Sequence, residues 1–217
     1  MKLYTYWRSQ AAFRVRIALK LKGVDAELAT IDILKGDQFT DSYRALNPEM
    51  VVPTLIDGEG PPLVQSLAIL EYLEEKYPNP PLLPNDFRAR AHVRALAQTL
   101  AADTHPFLVP RVRKYLEEEL RVDEPTRIKW LLHWVKTGFQ TIEAQLARDP
   151  RTGRFCCADS PTFADICLVP HVLTAKIFPN FDTAPFPTVM RIFQNCMTLD
   201  AFVYAQPARQ PDAPKAA

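Results

Sequence analysis

The chain has 217 residues, of which 47% are apolar and 24% charged, proportions that exclude a disordered or fibrous protein and fit a compact globular one. Lys and Arg number 26 against 25 Asp and Glu, so no global field draws the chain onto nucleic acid or an anionic membrane, and any charge selectivity is local. Its apolar runs are broken by charge or proline well short of the ~20 residues of a membrane-spanning helix, and Arg8 interrupts the N-terminal run before a secretory segment forms.

Lys2 to Trp7 reads as a β-strand, Ala11 to Leu21 as a helix ending at Gly23, and Glu27 to Ile33 as a second strand, together a βαβ unit. Val51 to Ile56 and Pro62 to Val64 are short strands around the turn Asp57-Gly58-Glu59-Gly60. Leu67 to Lys76 is a helix with Leu67, Leu70, Tyr72 and Leu73 facing inward. The cluster Tyr77-Pro78-Asn79-Pro80-Pro81-Leu82-Leu83-Pro84 cannot be helical, because each proline removes a donor and restrains its predecessor; we read 78–85 as a linker between domains 1–80 and 86–217.

From Phe87 almost to Tyr204 the patterns are helical, and the second domain is read as all-α. In the clearest stripe Leu131, Val135, Phe139, Ile142 and Leu146 recur every three to four residues. Thr162-Phe163-Ala164-Asp165 reads as a variant capping box with a structural role. The tail after Gln206 has no periodicity and is expected to lie extended or frayed on the surface. The four cysteines, Cys156, Cys157, Cys167 and Cys196, suit neither a disulfide framework nor a zinc site, so a reducing cytoplasm is expected and Cys156-Cys157 read equally as buried apolar residues or redox sensors.

Three short segments carry candidate chemistry. The loop Trp7-Arg8-Ser9-Gln10-Ala11-Ala12 passes from a strand straight into a helix, whose leading amides favour an anion; a thiolate there has its pKa lowered, and the Ser9 hydroxyl can donate to it. A plain helix cap accounts for Ser9 as well. Val52-Pro53 opens a strand, and a cis bond there turns the Val52 backbone outward for pairing with an extended peptide, whereas an ordinary trans turn is the default. Gln65-Ser66 precedes a helix and offers an amide, a hydroxyl and helix-end donors to a carboxylate, or simply an N-cap.

This order of signals, with the linker and the helical domain behind it, resembles the glutathione transferase superfamily. Tyr6-Trp7-Arg8-Ser9, the run Phe13 to Gly23, Ala45-Leu46-Asn47-Pro48, Gln65-Ser66-Leu67-Ala68-Ile69, Leu82-Leu83-Pro84, Ala164-Asp165, Leu168-Val169-Pro170 and Gln210-Pro211-Asp212 are similar to the zeta class, which includes maleylacetoacetate and maleylpyruvate isomerases. The resemblance implies a thioredoxin-like βαβαββα domain binding glutathione, an all-helical domain behind it, a homodimer, and a place in aromatic amino acid catabolism. It implies that Ser9 holds the thiolate, that Val52 pairs with the cysteinyl backbone beside a cis Val52-Pro53 bond, and that Gln65 and Ser66 take the γ-glutamyl end. Gln38 and His105 match positions that contact the tripeptide, and Arg8 and Arg111 match positions that clamp a small dicarboxylate with their planar forks. The helix positions of Arg14 and Arg16 point to structural ion pairs at least as readily as to substrate, and both are left out of the site.

Two departures bear on the substrate. Where the family loop reads Ser-Ser-Cys this chain has Ser9-Gln10-Ala11, so chemistry that needs a loop thiol, such as reductive dehalogenation through a mixed disulfide, is disfavoured. Where relatives carry a substrate-facing arginine the chain has Ile177, next to Lys176; losing one charge-assisted hydrogen bond costs about 1.5–3 kcal/mol, enough to shift preference among acids. The expected activity is cis–trans isomerisation of a small unsaturated diacid by reversible thiolate addition. The alternatives are a conjugating transferase or dehalogenase acting on another electrophile, and a non-catalytic binding protein of the same fold.

Overall fold

The computed structural model describes residues 1–178 and 181–214. In chain order the elements are β1 (Lys2–Thr5), α1 (Gln10–Leu21), β2 (Glu27–Thr30), α2 (Asp41–Leu46), β3 (Thr54–Ile56), β4 (Leu63–Val64), α3 (Ser66–Lys76), α4 (Phe87–Gln98), α5 (Pro110–Glu118), α6 (Glu124–Leu146), α7 (Phe163–Ala175), α8 (Pro187–Cys196) and α9 (Asp200–Tyr204). The βαβαββα order of the N-terminal part is the expected one, and the helix absent from the periodicity reading, α2, is short and capped by Thr40, whose hydroxyl accepts from the Tyr43 amide. Helices fill the second part, as expected.

One compact unit comprises Met1–Pro81 together with the segment from Leu199 onward. Its sheet runs β2-β1-β3-β4, with β1 parallel to β2 and antiparallel to β3. Leu3 sits opposite Leu55 in the β1–β3 ladder, and both side chains are buried. Helix α1 packs on α3 and α9, which explains why Ala12 through Leu19 are all buried instead of forming a one-sided stripe. Lys22, at the end of α1, pairs with Glu74 of α3 at 2.5 Å and donates to the Pro80 carbonyl at 2.7 Å. On α3 the buried apolar residues are Ile69, Leu70 and Leu73, with Leu67 and Tyr72 half-buried.

β1 and β3 are shorter than their β-rich runs because groups outside the sheet capture the backbone beside them. After Thr5 the Trp7 amide donates to Asp212 instead of to a neighbouring strand. Before Thr54 the Val51 carbonyl accepts from the Tyr43 hydroxyl at 2.6 Å and the Asn47 amide at 2.9 Å, and Pro53 has no N–H to give.

The C-terminal segment departs from expectation. It neither belongs to the helical unit nor lies frayed: α9 packs on α1, Pro207–Arg209 form a 3-10 turn, and Gln210 is buried with its amide donating to the carbonyls of Tyr204 and Gln206. The buried Arg16 guanidinium explains the attachment, because it needs acceptors and finds one in the Ala205 carbonyl.

The other unit, Leu82–Thr198, is helical. Leu131, Val135, Phe139, Ile142 and Leu146 of α6 are all buried, as the stripe predicts. Gly138 of the same helix allows His171 of α7 and Thr104 to approach so closely that an added Cβ would lie 2.7 Å from His171 Nε2. The Asp165 carboxylate caps α7, accepting from the Thr162 amide and hydroxyl and from the Cys156 amide, each at 2.8 Å. All four cysteines are buried and none forms a disulfide, and burial pushes the Cys156 thiol well above its ordinary range, which suits a small apolar residue.

Candidate functional site

The chain leaves β1 in a tight turn whose Ser9 amide donates to the Tyr6 carbonyl at 3.0 Å. Ser9 has extended backbone, and its Oγ accepts from the Ala12 amide at 3.2 Å, so it caps α1. The cap does not compete with holding an anion: an accepting hydroxyl keeps its one proton, and Ser9 is only half-buried. No acidic residue lies in the first turn of α1, leaving the positive end of the helix unneutralised by its own side chains. Arg8, in the same turn, is exposed, stands 5.5 Å from the Trp7 ring and has no salt bridge among the described residues.

Behind this turn lies Arg16. Its Nη1 donates to Thr5 Oγ1 at 2.8 Å and the Tyr6 carbonyl at 3.3 Å, and its Nη2 to the Trp7 carbonyl at 3.2 Å. Its direct partners are carbonyls and a hydroxyl, a structural role made through neutral acceptors instead of an ion pair. Burial pulls the guanidinium down to about 10, opposed by the charge of Asp212. Arg14, on the neighbouring face, donates through Nε to Ser66 Oγ at 3.1 Å and so ties the start of α3 to α1.

The Val52-Pro53 bond is cis, and no backbone hydrogen bond of Val52 is found among the described residues. Val52 is buried in one cluster with Tyr6 and Tyr43, against which Trp7 and Ile33 pack, so the Ser9 turn and the Val-Pro strand entry share a wall. Gln38 is buried; its Nε2 donates to the Ile33 carbonyl at 3.2 Å, while its Oε1 has no partner among the described residues. Such an orphaned acceptor calls for a donor from outside the chain.

Gln65 holds φ at +67°, a strained conformation for a residue with a side chain. Its Nε2 donates one N–H to Glu49 at 2.6 Å, which leaves Oε1 as an acceptor suited to an ammonium beside the second N–H. The Ser66 proton and the leading amides of α3 are donors suited to a carboxylate, since Ser66 Oγ accepts from Arg14. Glu49 itself is placed by its amide donating to Asn47 Oδ1 at 3.0 Å. Glu49, Asn47 and Arg14 therefore hold Gln65 and Ser66 in place. The Asn47-Pro48 pair and Arg14 stand within the family-like stretches, but no local pattern indicates which distant groups they hold.

In the helical unit, His105 opens the 3-10 turn His105–Leu108 and is half-buried. That turn is anchored by Phe107, whose carbonyl accepts from Trp130 Nε1 at 2.9 Å and whose ring stacks on Trp134 at 4.0 Å. Arg111 is exposed in the first turn of α5, a helix whose N-cap residue Val109 makes no side-chain cap bond. Lys176 caps the end of α7 with its ammonium 4.4 Å from the centre of the Phe193 ring, and Ile177 is 61% exposed.

Residues 3–81 match the family model of the glutathione S-transferase N-terminal domain. A maleylpyruvate isomerase from Ralstonia is 44% identical over 98% of this chain and 100% of its own length. The chain belongs to the zeta class of glutathione transferases. A crystal structure of a maleylacetoacetate isomerase from Methylobacterium extorquens AM1 with bound malonate and glutathione has a TM-score of 0.96 and 48% identity, covering 99% of this chain and 100% of that one. The holo structure of a bacterial zeta-class maleylpyruvate isomerase has a TM-score of 0.95 and 44% identity, with 99% and 100% covered. Glutathione is the cofactor of this zeta-class family, and the residues on the first unit suit it: a hydroxyl proton and helix end at Ser9, an unpaired acceptor on Gln38, an acceptor on Gln65 and a donor on Ser66.

Proposed function

We propose that this zeta-class protein is a glutathione-dependent cis–trans isomerase of a small unsaturated diacid, of the maleylacetoacetate or maleylpyruvate type. The observation that carries the reading is the Ser9 seat, where one hydroxyl caps α1 through a lone pair and keeps its proton for a neighbouring anion. Bound glutathione supplies a thiolate that adds reversibly to a double bond conjugated with a carbonyl, and leaves once the bond has rotated. The Ser9 proton and the first amides of α1 hold that sulfur in its charged form at neutral pH. Gln38 accepts from the tripeptide backbone, Val52 pairs with it beside Pro53, His105 adds a contact, Gln65 accepts from the γ-glutamyl ammonium, and Ser66 donates to its carboxylate. Arg8 and Arg111, both exposed and basic, clamp the substrate carboxylates and stabilise the charge that develops on the conjugated carbonyl.

The relatives named as isomerases of these diacids, and the dicarboxylate bound in one of them, support the substrate class. The test is to follow the ultraviolet spectra of maleylpyruvate and maleylacetoacetate with protein and catalytic glutathione. Conversion with glutathione recovered supports isomerisation; unchanged spectra for both overturn it. One observation favours a second reading, a conjugating transferase or dehalogenase: the exposed Ile177 stands where an arginine is expected, and Lys176 is occupied over Phe193. Stoichiometric loss of glutathione identifies that activity. We further propose a cytoplasmic homodimer: four buried cysteines, none in a disulfide, support the compartment, and the family supports the dimer; no described helix is long and apolar enough to cross a membrane.

A further inference from the structure

The Ser9 turn is held from behind by a residue far away in sequence. Asp212 Oδ2 accepts from the Trp7 amide at 2.9 Å across 205 positions, and its charge acts on the buried Arg16 guanidinium. Arg16 in turn holds the carbonyls of Tyr6 and Trp7, the Tyr6 carbonyl also accepts the Ser9 amide, and Arg16 Nη2 and Nε both donate to the Ala205 carbonyl. Within this unit, therefore, Trp7 is gripped through both of its backbone polar groups, its N–H by the C-terminal segment and its C=O by α1. No local pattern around Ser9 accounts for such a grip, because a cap needs only the Ala12 amide.

We propose that Asp212 is a positioning residue for thiolate stabilisation: it fixes the turn that aims the Ser9 hydroxyl. This rests on the reading of Ser9 as the thiolate holder. Alternative electrostatic action of Asp212 has the opposite sign. The charged and titratable groups acting around this turn are Arg8, Arg16, Asp32, Tyr6, Tyr204 and Asp212. Removing one negative charge from that set, with Arg16 left less compensated, favours a nearby anion and lowers the pKa of a bound thiol. Releasing the Trp7 amide has the reverse effect, because the Ser9 proton then loses its aim and the thiolate loses a hydrogen bond.

Two substitutions separate the effects. Asp212→Asn removes the charge but keeps a carbonyl oxygen able to accept from Trp7; Asp212→Ala removes both. With the full-length protein and glutathione, the thiolate absorbance of the bound cofactor is titrated against pH. D212N leaves the pKa unchanged or lower, whereas D212A raises it by about one unit, which is tenfold less thiolate at neutral pH, with a matching loss of kcat and little change in the KM for glutathione. In a Ser9→Ala background D212A adds no further shift. If D212A does not fold, Asp212→Ser, whose shorter hydroxyl does not reach the Trp7 amide, replaces it with the same expectation. A pKa that falls, or stays put, in D212A or D212S overturns the proposal. If Ser9→Ala itself leaves the pKa unchanged, it is the underlying reading of Ser9 that fails.

Discussion

Replacing Gly138 with alanine sets two effects against each other. Glycine inside a helix costs about 1 kcal/mol relative to alanine, so propensity alone predicts stabilisation. The new methyl, however, would stand 2.7 Å from His171 Nε2, 2.9 Å from His171 Cε1 and 2.9 Å from Thr104 Cγ2. Neither neighbour yields cheaply, since His171 is 1% and Thr104 3% exposed, and His171 Nε2 is bonded to the Val135 carbonyl at 3.1 Å. Overpacking of this kind costs about 1–3 kcal/mol, and displacing the ring forfeits about 1 kcal/mol of hydrogen bond. Against the ~1 kcal/mol gained in propensity, the net is a loss of about 1–3 kcal/mol. For a chain of this size each kcal/mol moves the melting temperature by roughly 2–4 °C, so a drop of about 2–12 °C is expected by thermal denaturation. Adding Thr104→Ser, which deletes the clashing methyl and keeps the hydroxyl bond to the Thr99 carbonyl, recovers part of the loss. A melting temperature equal to or above that of the unaltered protein refutes the packing argument.

Ser9→Ala removes a charge-assisted hydrogen bond worth about 1.5–3 kcal/mol and raises the bound-thiol pKa by about 1–2 units, read from thiolate absorbance. Lys22→Met leaves Glu74 buried without its 2.5 Å partner; urea denaturation registers a loss of about 3–5 kcal/mol, and a smaller loss in the double variant with Glu74→Gln. His92 has its pKa lowered by burial and by Arg151, with Asp149 opposing. Its folded form prefers the neutral ring, so its contribution is present above the ordinary histidine pKa of about 6.5 and is lost as pH falls through that value. Between pH ~7.5 and ~5.5 the melting temperature of the unaltered protein therefore falls further than that of His92→Gln; equal slopes contradict the assignment.

Features governed by neighbours along the chain were open to the sequence. The Ser9 cap spans three residues, the α6 stripe repeats at helical spacing, and the proline cluster cannot be helix, so elements, two-part architecture and the candidate thiolate seat follow from local stereochemistry. What folding decided is which distant groups satisfy the buried polar atoms. Arg14 and Arg16 look alike on α1, yet one meets Ser66 and the other the carbonyls of the Ser9 turn. Gln65 is oriented by Glu49, 16 positions away, which accepts one of its amide hydrogens. The tail expected to fray is instead drawn in, since a buried guanidinium and an unpaired Trp7 amide cost more than the entropy of ordering the segment that supplies Ala205 and Asp212. Periodicity and spacing cannot encode a partner 205 residues away, because that choice exists only once the sheet, α1 and the C-terminal segment occupy the same space.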